Sequence, residues 1–315
     1  MKAIQVVFEF LPDKEPDELV FVPLGDFHIG AIGTDEAHAK KYIDWIRRKK
    51  AYWWLMGDAI DAINYHDPRF NPQEVAEWMK VKDLRNLPLK QADHFLDLVA
   101  PIANRCLFAI HGNHEEAVAK YATVDIPHYI ANALGVPYLG YSGLVQLRFR
   151  GHTNTHGNAS KNTGRLLFVH HGWGGGRKPG GKANKLMDLL VGFAADDYFM
   201  GHVHDVLCSK QTRVGIRSRK RGPKSGEQQV HEIKPGMSVY WMPADLRSED
   251  HCFALTGSFL KQAIYSEIKG YNPSFIGAIK YTVQPFVWRT IVSGKGTGRN
   301  HGDWTAVADV GTFTL

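Results

Sequence analysis

Five short polar clusters hold the residues of this sequence whose types and spacing best suit binding a metal ion or moving a proton. They are Asp26-Phe27-His28, Asp58, Asn113-His114-Glu115, His170-His171 and His202-Val203-His204, and each follows a short apolar run. Asp26 and His28 are two residues apart, so on an extended segment both side chains point to one face, as two ligands of one ion must. Asp58 adds a carboxylate able to bridge two ions. Asn113 adds a neutral oxygen, and His170 or His171, His202 and His204 add imidazoles. Oxygen and imidazole ligands without thiolate suit Mn²⁺, Fe, Zn²⁺ or Ni²⁺ rather than an iron–sulfur or copper(I) centre. The ligands outnumber the three that a mononuclear catalytic zinc takes from its protein. They suit two divalent ions sharing one carboxylate, with Mn²⁺ the foremost expectation and Fe, Zn²⁺, Ni²⁺ or Mg²⁺ the alternatives.

The elements that must position these clusters are legible as apolar runs. Leu19 to Leu24, Tyr52 to Met56, Cys106 to Ile110, Leu166 to Val169 and Tyr198 to Met200 are short, nearly continuous and closed by Gly or His, the pattern of strands buried on both faces. Asp35 to Lys49, Pro88 to Ala103 and Lys182 to Phe193 carry apolar residues at helical spacing. Strands alternating with helices imply a layered α/β fold, and clusters beyond strand C-termini sit where such sheets place their sites. After His204 the character changes. A basic Gly/Pro/Ser-bearing stretch within 206–250 is expected to form an inserted hairpin or loop, and 251–315 to supply strands completing a second sheet. The 315 residues then make a single domain.

Composition supports a folded protein: 44% of residues are hydrophobic and 22% charged, which excludes disorder, collagen and coiled coil. No apolar run approaches the ~18 residues of a membrane span, so a soluble, cytoplasmic protein is expected. Cys106, Cys208 and Cys252 are odd in number and widely spaced, fitting neither a disulfide framework nor a zinc ribbon. The formal charge of +6 is local. Seven basic residues and no acidic one lie between Lys210 and Lys224, and the rest of the chain is close to neutral.

Taken in order, Gly25-Asp26-Xaa-His28, Gly57-Asp58-Xaa-Xaa-Asp61, Gly112-Asn113-His114-Glu115, His170-His171-Gly172 and Gly201-His202-Xaa-His204 resemble the five motifs of the calcineurin-like metallophosphoesterases. The glycine-rich Gly172 to Arg177 and Thr256-Gly257-Ser258-Phe259 are similar to phage- and prophage-borne members. The resemblance implies a four-layer α/β/β/α sandwich of two mixed sheets flanked by helices, and hydrolysis of a phosphate ester. It implies one ion held by Asp26, His28, Asp58 and His204, and another by Asp58, Asn113, His202 and His170. The fourth motif varies within the family, leaving His170 and His171 in competition, with His170 preferred because it directly follows the strand. His114 resembles a non-ligand histidine that contacts the phosphate and protonates the leaving oxygen, with Glu115 orienting it. Asp61 is expected to support the site rather than ligate.

The substrate class stays open between phosphodiesters, including nucleic acid, and phosphomonoesters or phosphoproteins. A metallophosphoesterase scaffold serving only as a binding module is a further alternative, although the ligand positions are intact. Arg177 and Lys178 are candidate substrate-phosphate contacts. Arg217, Arg219, Lys220 and Arg221 are candidate nucleic-acid contacts, without the interleaved aromatics of a base-stacking platform. Neither the oligomeric state nor the metal is determined by the sequence. If the basic run tracks a polyanionic backbone, replacing those four residues together lowers the slope of DNA affinity against salt by up to about four units. Hydrolysis of a small diester stays unchanged, and identical slopes remove the run from any nucleic-acid role.

Overall fold

The computed structural model describes residues 1–11, 14–62, 70–121, 124–152, 160–175, 178–217, 229–234, 237–241, 245–261, 275–291, 301–313 and 315. In chain order the elements are β1 (Lys2–Glu9), β2 (Leu19–Leu24), α1 (Glu36–Lys49), β3 (Tyr52–Met56), α2 (Leu87–Val99), β4 (Cys106–Ile110), α3 (Asn113–Tyr121) and α4 (Ile126–Leu134). There follow β5 (Ser142–His152), β6 (Ser160–His170), α5 (Pro179–Gly192), β7 (Asp197–Met200), β8 (Val206–Arg217), β9 (Gln229–Lys234), β10 (Met237–Trp241), β11 (Asp245–Ser258), β12 (Gly277–Ile291) and β13 (His301–Phe313).

The apolar runs at Leu19–Leu24, Tyr52–Met56 and Cys106–Ile110 are strands over the expected residues, and the next two lie within β6 and β7. Helix α1 starts where Asp35 accepts a hydrogen bond from the His38 N–H. It carries Glu36 in its first turn and Arg47, Arg48 and Lys49 in its last, each sign opposing the helix dipole. Its buried face is Ala39, Tyr42, Ile43 and Ile46. β1, β5, α3 and α4 were not anticipated from periodicity. β1 alternates between exposed and half-buried residues over most of its length and has no continuous apolar run to announce it.

The strands form a large mixed sheet in the order β1-β5-β6-β7-β11-β12-β2-β3-β4, with β8 paired to β11 and β13 to β12. β9 and β10 form a separate hairpin. Among the described residues, Gly257↔Ala278 and Ser258↔Gly277 are the pairs that join β11 to β12, so the sheet has two halves meeting at a two-residue contact. β2, β3 and β4 run parallel in one half, and β6, β7 and β11 run parallel in the other. β11 begins at Asp245 and pairs with β8 over twelve positions, so this strand crosses the boundary expected near residue 250.

One core cluster draws on both halves, joining Phe21, Trp54 and Phe108 to Phe149, Val169 and Phe199. A second lies under α1, α2 and α4, and a third under α5. At the start of β7 the core contains a charged network. Asp197 is fully buried and accepts from Arg165 Nε at 2.8 Å, Tyr281 Oη at 2.6 Å and the Cys252 N–H at 3.0 Å. This ties β6, β7, β11 and β12 together four residues before the chain leaves β7 for His202. Removing one partner of a buried pair strands the other charge, at a cost of about 3–5 kcal/mol. Asp197→Asn is therefore expected to lower the denaturant midpoint by that equivalent, and an unchanged midpoint would show that the network contributes nothing.

Candidate metal centre

Five of the side chains singled out above sit on residues with left-handed backbone: Asp26 (φ 49°), His28 (φ 51°), Asp58 (φ 47°), His202 (φ 67°) and His204 (φ 49°). Such a conformation is uncommon for residues with a side chain, costs about 1–3 kcal/mol each, and clusters at functional sites. Asp26 and His28 therefore share a face for a different reason from the one the extended-segment reading supplied. Both lie beyond the end of β2, and successive tight turns, not strand alternation, aim them inward.

Three groups form. In each, the candidate ligand atoms lie within 4.8 Å of one another: Asp26, His28 and His204; His28, Asp58 and His114; and Asp58, His171 and His202. Asp58 joins them. Its Oδ2 lies 3.8 Å from His28 Nε2 and 3.1 Å from His171 Nε2, while its Oδ1 accepts the His114 N–H at 3.0 Å. His204 Nε2 is 3.2 Å from Asp26 Oδ1, and Asn113 Oδ1 is 3.2 Å from His171 Nε2. Asp26, His28 and Asp58 are buried.

The structure brings His171, not His170, to the cluster. His171 Nδ1 donates to the Met56 carbonyl at 2.8 Å, which leaves Nε2 aimed at Asp58 and Asn113. His170 Nδ1 accepts the Gly172 N–H at 2.8 Å, and its ring packs against Trp173 and Tyr141. The reason is strand alternation at the end of β6: two consecutive residues face opposite sides, and the one past the strand reaches the site. His170, the expected ligand, lies off the cluster in this geometry, and His171 takes its place as the candidate.

The backbone around these groups is held by residues that spacing does not reveal. Glu115, expected to orient His114, is buried and accepts instead from the N–H groups of Asp58, Ala59, Ile60 and Gly112, at 2.6 to 3.2 Å. It clamps the Asp58 turn to the turn before α3. A Cβ on Gly112 would stand 2.0 Å from Asp58 Oδ1, so only glycine allows that approach. His114 is oriented by Asp61, whose backbone carbonyl accepts from His114 Nδ1 at 2.5 Å. The Asp26 carbonyl accepts from both Ser258 Oγ and the Phe259 N–H, at 2.9 and 3.0 Å. Its carboxylate accepts the His202 N–H. No sequence signal pointed from Ser258 to Asp26, which lies 232 positions away.

The electrostatics call for added positive charge. Burial opposes charge on His171, yet the Asp58 carboxylate beside it outweighs burial and pushes the pKa up to about 10. Asp58 is held well below the usual carboxylate range, burial being outweighed by His171 and His114. His202 is drawn down to about 4 by burial and by His171. His28 Nε2 faces His204 Nε2 at 3.0 Å, a separation that one ring N–H donating to the other nitrogen satisfies and that a cation held by both would also suit. Burial and the neighbouring His114 and His204 hold His28 far below its ordinary value, which keeps the ring neutral. Its Nδ1 is buried without a hydrogen-bond partner. A carboxylate–imidazole donor set of this kind fits a divalent metal ion.

Lys178 is exposed at the N-terminal end of α5, and nearby Lys182 pairs with Asp205 at 3.2 Å. Arg177, Arg219, Lys220 and Arg221 lie outside the described residues, as does the side chain of Arg217. No helix among the described residues is long and apolar enough to cross a membrane. Cys106, Cys208 and Cys252 are unpaired.

No protein-family model matches the chain, and no curated protein does. Among solved structures, the crystal structure of the calcineurin-like phosphoesterase YfkN from Bacillus subtilis aligns over 93% of this chain and 90% of that one, with 10% sequence identity and a TM-score of 0.32. A likeness so loose carries no argument about this site, which stands on its own geometry.

The two neighbouring histidines separate cleanly in metal analysis. His171→Ala is expected to lower bound metal, measured by elemental analysis after equilibration with Mn²⁺, whereas His170→Ala keeps it. The reverse result would return the ligand position to His170.

Proposed function

We propose that this protein is a hydrolase of phosphate esters that works with two divalent metal ions. The observation that carries this is the placement of Asp58 Oδ2 between His28 and His171, joining two carboxylate–imidazole groups through one oxygen. Asp26, His28, Asp58 and His204 would hold one ion, and Asp58, Asn113, His171 and His202 the other. When bound, such a pair supplies Lewis acidity and neutralises the negative charge that grows on a phosphoryl group under in-line attack. Mn²⁺ is the first candidate, on the strength of the oxygen and nitrogen donors alone.

The chain's own residues supply the rest. His114 donates through Nδ1 to the Asp61 carbonyl, and its ring lies edge-on to His28 with centroids 4.5 Å apart. It is placed to contact a phosphoryl oxygen and to give a proton to the departing one, a contribution of roughly 10²- to 10⁴-fold. Glu115 takes no proton in this scheme. It fixes the Asp58 turn through four backbone N–H groups. The four-layer α/β/β/α sandwich belongs to the same proposal, supported by a core shared between the sheet halves and by helices over two further clusters. The phage-type subdivision rests only on Gly172 to Arg177 and Thr256 to Phe259. A cytoplasmic location is supported by the three unpaired cysteines.

The test is a metal-resolved activity panel on bis(p-nitrophenyl) phosphate and p-nitrophenyl phosphate, using chelator-stripped protein reloaded with Mn²⁺, Mg²⁺, Zn²⁺ or Ni²⁺. Turnover is expected only with added metal, and Asp58→Asn is expected to lose both metal and turnover. His114→Ala is expected to keep its metal and lose about 10²- to 10⁴-fold in rate, most with poor leaving groups. Full activity of the stripped protein, or none with any ion, would overturn the reading.

A further inference from the structure

We propose that Trp173 is a stacking platform for the base of a nucleotide phosphoester whose phosphate lies at the Asp58 cluster. The inference rests on the phosphoesterase reading and names its substrate class. Trp173 is 40% exposed, the one exposed tryptophan among the described residues, whereas Trp53 and Trp54 are fully buried. A lone exposed apolar side chain needs no explanation in itself. Position and anchoring set this one apart.

Trp173 follows His171 by two residues, so their Cα atoms are at most ~7 Å apart. The intervening Gly172 has φ +113°, and a Cβ there would come within 2.8 Å of both the Gly201 carbonyl and His202 Cβ. The chain thus passes against the turn that bears His202, and Trp173 is the next residue along it. The peptide on either side is tied down. Tyr141 Oη donates to the Gly172 carbonyl at 2.9 Å, and Lys185 Nζ donates to the carbonyls of Trp173 and Gly175 at 2.9 and 2.7 Å. The His170 ring braces the indole edge-on, with centroids 5.2 Å apart and planes at 77°. This gives the displaced His170 a role as a brace.

An aromatic surface held in place before ligand arrives loses little freedom on binding, which is what a recognition group requires. A planar base stacks on an indole whatever its identity. A nucleotide carries such a base within a short span of its phosphate, as Trp173 lies two residues from His171, whereas a phosphorylated serine or a glycerol phosphate presents no planar group.

The test compares the native chain with Trp173→Ala and Trp173→Phe. Binding of adenosine 5′-monophosphate and of methyl phosphate to Mn²⁺-loaded protein is measured by calorimetry. In parallel, hydrolysis of a thymidine dinucleotide is compared with that of glycerophosphocholine. Trp173→Ala is expected to weaken the nucleotide by about 5- to 150-fold, the range that base stacking commands. Trp173→Phe is expected to restore most of that, and methyl phosphate is expected to bind all three alike. For the dinucleotide the change appears in KM, with kcat within about twofold. No nucleotide binding, equal losses for both ligands, or no loss for the nucleotide would overturn the platform. If the native protein binds nucleotide through Trp173 but hydrolyses neither diester nor p-nitrophenyl phosphate with any of the four ions, the phosphoesterase reading fails while the platform stands.

Discussion

A buried carboxylate, that of Asp58, is the charge around which the rest of this site is arranged. An ionised carboxylate removed from water costs several kcal/mol unless compensated. Here compensation comes from the His114 N–H on one oxygen and from imidazoles of two further segments on the other. Those imidazoles compete for the same field: His171 is driven toward its charged form, while His28 and His202 are driven away from theirs. Protons alone serve such a set poorly, because satisfying one ring penalises its neighbours. Divalent cations would take the imidazole lone pairs without adding a proton to any ring, which links the geometry to the proposed chemistry.

Holding that arrangement demands backbone that the chain would not adopt freely. Five candidate ligands have left-handed φ values, and the strain is met by contacts from elsewhere in the fold. Glu115 closes the Asp58 turn, Ser258 and Phe259 the Asp26 turn, and the Asp26 carboxylate the His202 turn. Each clamp joins one strand end to another, so the centre is overdetermined by tertiary contact, as strained functional geometry must be. The two sheet halves meet at Gly257 and Ser258, and this narrow junction also delivers Ser258 to Asp26. The route by which the halves join is thus part of the site.

The same reasoning explains how the loop after β6 is used. His171 turns into the cluster, while His170 faces out and braces Trp173. One strand end thereby supplies a candidate ligand and the support for a candidate recognition surface. Alternation of consecutive side chains makes both available from adjacent positions.

Much of this was readable in the chain itself. The runs of β2, β3 and β4 are continuous and apolar because strands covered on both faces can tolerate little else, and the polar residues after them stand out for that reason. Residue type and order therefore determined which side chains could meet and that they offer oxygen and imidazole donors rather than thiolate. Spacing could not say which of His170 and His171 turns inward, since that depends on where β6 stops and on a carbonyl of Met56 more than a hundred residues earlier. Nor could it show that Glu115 serves the backbone rather than His114, because its four donors come from two separate turns brought together by the pairing of β3 with β4. β1 went unseen because its alternation is weak and its only strand partner is β5. Local chemistry follows from local sequence, whereas partnership across 50 to 230 residues is decided when the strands pair and the core closes over them.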